Sequence, residues 1–189
     1  MPIAGKRILF IVGSPYRGGA EEYVLKIARA VAAHGGIVDV ACTAGPGMVS
    51  FVEECRALGG AFHPIEISDD DLEWAAHRKR RALAKTVLRV AWAVLKARPT
   101  AAFVEINWPV RYMGVLLALA LMRIPAVVVF QLAPWRHNLR KRVSQAYAWA
   151  RKRQRWVAVS QENRESLAAS FSCPEEDIAL IHNGTPVPE

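Results

Sequence analysis

The fold this sequence predicts is α/β, a doubly wound, Rossmann-like domain on a mostly parallel sheet of about seven strands. Three observations carry that expectation. Short apolar runs rich in branched residues recur from end to end, and segments with apolar residues three and four apart lie between them. The runs are apolar almost throughout instead of alternating, as in parallel strands covered on both faces.

In chain order, the first strand is Ile8 to Val12. A loop from Gly13 to Gly19 then opens into the clearest helix, where Ala20, Tyr23, Val24, Ile27, Ala28, Val31 and Ala32 form one face and Glu21, Glu22, Lys26 and Arg29 fall elsewhere. Gly35 and Gly36 end it. The second strand is Ile37 to Cys42, and a second helix aligns Met48, Phe51, Val52, Cys55 and Leu58 before Gly59. After a strand Ala61 to Ile65, a third helix aligns Leu83, Val87, Val90 and Val94 before Pro99. Strands at Ala101 to Ile106, Ala126 to Phe130, Trp156 to Val159 and Ile178 to Ile181 then alternate with helices at Pro109 to Met122, Asn138 to Arg153 and Gln161 to Phe171. The most apolar stretch, Met113 to Phe130, is broken by Arg123 and Pro125, so it reads as a buried helix and strand and not as a membrane span. Residues 1–181 are expected to form one domain, and 182–189, with Asn183-Gly184 and two prolines, a hinge toward a further domain.

Composition narrows the class. At 189 residues, with 52% hydrophobic and 22% charged residues, the chain suits a single globular domain with its own core. Cys42, Cys55 and Cys173 are an odd number without a CxxC pair, which argues against a disulfide framework or a zinc site, and the histidines show no ligand spacing; no metal site is expected. Lys6 and Arg7 precede an apolar run too short for a signal segment, so the chain reads as cytoplasmic.

The net charge of +8 is unevenly placed: no Asp or Glu lies between Glu105 and Glu162, while ten Lys or Arg do. Such a field favours an anionic partner. Two segments, Arg78 to Arg81 and Arg136 to Arg155, the latter interleaved with Trp135, Tyr147, Trp149 and Trp156, suit an anionic membrane surface or polyprenyl phosphate. The other reading is a solvated helix face with its aromatics turned to the core. The stretch from Ile106 to Gln161 is expected to lie beside the ligand cleft, making the protein peripheral at the inner face of the membrane. Nucleic acid is not expected, because neither a recognition helix nor an aromatic platform is present.

The loop Gly13-Ser-Pro-Tyr-Arg17-Gly18-Gly19 is the first candidate site. Glycine lets backbone amides approach a ligand closely, and a helix N-terminus carries about half a positive charge, which suits a phosphate or carboxylate; the alternative is a plain strand-to-helix turn. Neither GxGxxG nor GxxxxGK[ST] occurs, so this is not a dinucleotide fingerprint or a Walker loop. Asp39, inside the second strand and not at its end, also disfavours a nicotinamide enzyme. Glu105, Asn107 and Gln131 fall at carboxyl ends of strands, where open α/β sheets bind ligands, and could hydrogen-bond a ligand or cap the strands. His137 is a candidate contact for an anionic ligand, or a solvated residue at a helix start.

Gly18-Gly19-Ala20-Glu21, followed by Tyr23-Val24 and Ile27-Ala28, resembles the GGAE…LA signature of family-4-like, retaining GT-B glycosyltransferases. Arg98-Pro99 with Phe103-Val104, Ile124 to Val128, Val159-Ser160 with Arg164 and Leu167, and Ile181-His182-Asn183-Gly184 resemble later motifs of that family in order. The resemblance implies an N-terminal, acceptor-side domain that binds a glycan or lipid-linked acceptor, contributes Arg17, Gly18, Gly19 and Ser160 to the diphosphate site of a nucleotide-sugar donor, and needs no cofactor. It also implies a C-terminal GT-B domain, in cis or in trans, without which the chain is inactive. Where the family often carries His, this sequence reads Val104-Glu105-Ile106-Asn107-Trp108 and Phe130-Gln131-Leu132-Ala133-Pro134. A free-standing glycan- or membrane-binding module that works with a partner subunit is the alternative.

Overall fold

A computed structural model describes residues 3–67, 76–108, 112–133, 139 and 141–184, with side chains in the third helix from Arg81 onward. The strands are β1 (Arg7–Ile11), β2 (Ile37–Cys42), β3 (Phe62–Pro64), β4 (Ala101–Ile106), β5 (Ala126–Phe130), β6 (Gln154–Ala158) and β7 (Ile178–Leu180). Between them run α1 (Gly19–Ala33), α2 (Val49–Ala57), α3 (Ala76–Ala97), α4 (Met113–Leu121), α5 (Lys141–Arg151) and α6 (Gln161–Phe171).

All seven strands are parallel, in the order β3-β2-β1-β4-β5-β6-β7. The reversal of winding after β1 follows from right-handed crossovers, which put connections to the left and to the right of β1 on opposite faces. On one face Phe10, Val12 and Phe103 pack with α1 and α2 residues such as Val24, Leu25 and Phe51. On the other, Leu9, Ile11 and Val104 pack with α3, α4, α5 and α6. There Phe130, Tyr147, Trp156 and Phe171 form an aromatic cluster with ring centroids 4.6–6.2 Å apart. Full cover on both faces does not extend across the sheet. Two helices against four leave the α1 side thinner beyond β4, where Val127 is 40% exposed.

Three differences from the sequence reading have local causes. Strand β6 begins at Gln154, two residues early, because the polar pair Gln154 and Arg155 continues the ladder beside Ala126 and Val127. Strand β3 is shorter than Ala61 to Ile65, since the Ala61 N–H donates to the Asp39 carboxylate (2.9 Å). Glu21, grouped with solvent-facing residues by helical spacing, is only 2% exposed.

Arg98, Arg123 and Ser172, just past the ends of α3, α4 and α6, have φ of 47°, 58° and 52°. This left-handed geometry is usually glycine's, because a side chain there costs about 1–2 kcal/mol. Among the described residues no helix is long and apolar enough to cross a membrane.

Candidate functional site

In an all-parallel sheet every strand ends at the same edge, so the carboxyl ends of β1, β4, β5 and β6 gather the loops that can hold a ligand. The Gly13–Gly19 loop leaves β1 there. Its first residue is pinned from below: a Cβ on Gly13 would lie 2.0 Å from Cε1 of Tyr112, the residue that opens α4 with φ 68°. Gly18 is the extended cap of α1, and its N–H donates to Oε2 of Glu21 (2.7 Å). Thus the helix's own carboxylate takes the outermost amide, while the following first-turn amides have no intrahelical acceptor. Gly19 faces open space, with nothing beyond its chain neighbours and its own helix backbone within 4 Å of where its Cβ would stand among the described residues, and its φ lies outside the left-handed region.

Arg17 anchors the loop. Its guanidinium donates to Glu22 (2.6 Å) and Glu54 (2.6 Å), and its N–H donates to the Gly47 carbonyl (3.0 Å). Those two carboxylates raise its already high pKa further. Glu54 also accepts from Arg29 (2.5 Å), so one carboxylate joins the loop, α1 and α2. Gly45 and Met48 help line a cavity of about 410 Å³ that opens between Thr43, Arg56 and Phe62.

Glu105 lies beneath this loop. It is fully buried on the α1 side of β4, in register with Val129, and neither carboxyl oxygen has a hydrogen-bond partner among the described residues. Burial, and secondarily the Glu21 carboxylate, push its pKa up to about 8. Because the charged form loses its hydration without gaining a donor, the neutral acid is favoured at physiological pH. Oε1 of Glu21 is likewise buried without a partner among the described residues.

Asn107 follows β4 and is partly exposed at the rim. Gln131 follows β5; its N–H donates to the Ile106 carbonyl (3.0 Å) and its Oε1 accepts from Asn183 (3.2 Å), while its Nε2 is buried without a partner among the described residues. Ser160 caps α6 by accepting the Asn163 N–H (3.1 Å). Asn163 in turn donates to the carbonyl of Phe130 at the end of β5 (2.8 Å). His137 lies outside the described residues. The edge therefore brings together Gly18, Gly19, Asn107, Gln131 and Ser160, with Glu105 below. Sequence reasoning missed Glu21, Asn163 and Asn183 as parts of the site. A carboxylate three residues after a helix cap was the available signal for the first.

The basic residues of the Ile106–Gln161 stretch are split by the fold. Lys141 and Arg142 open α5 at this edge, whereas Arg123, Lys152, Arg153 and Arg155 lie at the amino edge, a strand length away. Tyr147 and Trp156 are turned fully into the core; Trp149 is 45% exposed.

Three comparisons bear on this arrangement. The family model for Glycosyltransferase Family 4 matches residues 17–187. No curated protein matches the sequence. Among solved structures, a glycosyltransferase from Rickettsia africae superposes with a TM-score of 0.68 at 17% identity, over 95% of this chain and 43% of that one. Anabaena HepE, solved with UDP and glucose, gives 0.57 at 16% identity, over 95% and 45% of the two chains. A UDP-GlcNAc 2-epimerase from Neisseria meningitidis, bound to UDP-GlcNAc, gives 0.55 at 11% identity, over 92% and 45%. The chain thus spans less than half the length of each of these proteins.

Proposed function

Because this chain belongs to Glycosyltransferase Family 4 and has the fold of a GT-B N-terminal half, we propose that it supplies the acceptor side of a sugar-transfer cleft and part of the donor's diphosphate site. The observation that carries the reading is Gly19 at the mouth of α1, facing open space, at the sheet edge where ligands bind. The amides of Gly19 and Ala20, with the helix dipole behind them, would meet the phosphates of a nucleotide sugar such as the UDP-sugars suggested by HepE. Glu21 and Arg17 hold the loop that presents those amides. Asn107 and Gln131 would orient hydroxyls of a glycan or lipid-linked acceptor. A C-terminal GT-B domain, in cis or in trans, would bring the base and sugar pockets, so the chain by itself would be inactive.

Two measurements test this. Calorimetry with UDP-glucose and other nucleotide sugars should show only weak binding, because a few amides without a base pocket offer little buried area; sub-micromolar affinity for this chain alone would overturn the half-site reading. In a two-domain enzyme, Gly19→Val should lower transfer at least about a hundredfold by crowding the phosphate approach. Its circular dichroism should stay unchanged, since the position is open and free of left-handed strain. Full activity in that variant would remove the loop from the site.

A further inference from the structure

Six buried side-chain atoms lack a hydrogen-bond partner among the described residues, and four of them belong to three side chains on one face of the sheet: Oε1 of Glu21, both carboxyl oxygens of Glu105, and Nε2 of Gln131. The other two, on Thr86 and Asn163, belong to α3 and α6, which cover the opposite face. A buried donor or acceptor left unmatched is costly, so a cluster of them poses the question of what matches them. Glu105 and Val129 lie side by side in register on the α1 face, and the ladder runs on past β5, because the Gln131 N–H donates to the Ile106 carbonyl. Alternation then puts Gln131 on the same face as Val129, with its Cα about 8 Å from that of Glu105, within reach of two long side chains. Glu21 stands in the first turn of α1 above them.

A single proton, carried by Glu105, matches all four atoms. We propose that the neutral Glu105 donates its O–H to Oε1 of Glu21 while its other oxygen accepts from Nε2 of Gln131, each link closed by side-chain rotation or a bridging water. The two outer links are already made: the Gly18 N–H donates to Oε2 of Glu21 (2.7 Å), and Nδ2 of Asn183 donates to Oε1 of Gln131 (3.2 Å). The result is one continuous run of hydrogen bonds from Asn183, beyond β7, to the cap of α1. Glu105 is thus a positioning residue: through it a displacement of the tail after β7 is felt at the loop that presents the Gly19 and Ala20 amides. The run depends on where the loop sits and not on sugar transfer, so its failure would leave that reading standing.

Ionisation breaks the run, since a charged Glu105 has no proton to give Glu21 and repels it. The titratable groups packed around the pair stay out of the range near 8 where Glu105 ionises. Burial pushes the thiols of Cys42 on β2 and Cys55 on α2 up to about 12 and about 11, and raises the Tyr23 phenol on α1. Arg17, Glu22 and Glu54 pair with one another at the loop.

Amide hydrogen exchange and carboxyl carbon-13 NMR on this chain test the proposal. At neutral pH, Glu105→Gln should protect the Gly18 N–H as wild type does, because a carboxamide donates to Glu21 and accepts from Gln131 just as the neutral acid does. Glu105→Leu, which fills the space without polar atoms, and Gln131→Leu should each lose about fivefold of that protection. Gln161→Ala, an exposed amide at the start of α6, should stay within about twofold of wild type. As pH rises through the Glu105 value, wild type should lose protection relative to Glu105→Gln, both proteins being corrected for the common acceleration of exchange. The carbon-13 midpoint of Glu105 should move up by about one pH unit in Gln131→Leu, which removes a donor to the charged form, and move down in Glu21→Gln, which removes a neighbouring charge. Should Glu105→Leu fail to fold, the pH profile of Glu105→Gln and the midpoint in Gln131→Leu still decide. Full Gly18 protection in Gln131→Leu, an unmoved midpoint in that variant, an equal loss in Gln161→Ala, or identical pH profiles for wild type and Glu105→Gln would each overturn the run.

Discussion

Urea midpoints of the wild-type chain should fall as pH rises from about 5 to about 8, and those of Glu105→Gln should fall much less. Glu105 has its folded pKa pushed up to about 8 from an ordinary value of 4.5. Below the lower value both states carry the proton, and the stability of the neutral, buried form is fully present. Between the two values the unfolded chain releases the proton while the folded chain keeps it, so rising pH favours unfolding until the folded carboxyl also ionises near 8. One group contributes up to about 1.4 kcal/mol per pH unit, so the whole window amounts to about 3–5 kcal/mol. Every other ionisable group is common to the two proteins, so the difference between the two curves isolates Glu105. Parallel curves would mean that Glu105 is ionised in the fold.

Gly60→Ala should prevent stable folding, with a loss of about 4 kcal/mol or more. An alanine Cβ at this position would lie 1.4 Å from the Val38 carbonyl oxygen and 2.3 Å from its carbonyl carbon. Both belong to the backbone of β2, which is held on one side by β1 and on the other by β3, so no side-chain rotation relieves the overlap. Gly59→Ala, at a left-handed φ of 88° with open space around it, should cost only about 1–2 kcal/mol. If the two variants melt together, the close approach of the chain to β2 is not as described.

Strands β4 and β5 and helix α6 were legible to the residue because their boundaries are chemical, whereas β1 starts and ends one residue before Ile8 to Val12. Strands β4 and β5 each follow a proline closely, and Ser160 is a helix cap in composition as well as in structure. The start of β6 was not legible, since Gln154 looks like a loop residue until its amide is seen donating to the Leu116 carbonyl (2.9 Å) while its Oε1 accepts from Trp156 (3.2 Å). The glycine loop and the carboxyl-end positions of Asn107 and Gln131 could be read from order alone. What holds them could not. Arg17 reaches Glu54 across 37 residues, and Glu21 turns inward because a cap donor and the floor of β4 outweigh helical periodicity. Amphipathic spacing describes a helix surrounded by solvent on one side, and fails where a first-turn carboxylate folds back on its own backbone.

The strand order also sets a timetable for synthesis. Strands β1 and β2 leave the ribosome together and can pair at once, but the other edge of β1 belongs to β4, with Ile8 beside Ala101. At about 5–20 residues per second, the roughly 60 residues between β2 and the end of β4 keep that edge waiting for several seconds. During that interval Ile8, Leu9, Phe10 and Ile11 form a bare apolar rim able to template a neighbouring nascent chain. Ribosome stalling before residue 101 should therefore yield a chaperone-dependent, aggregation-prone fragment, and stalling well past residue 106 a protease-resistant one.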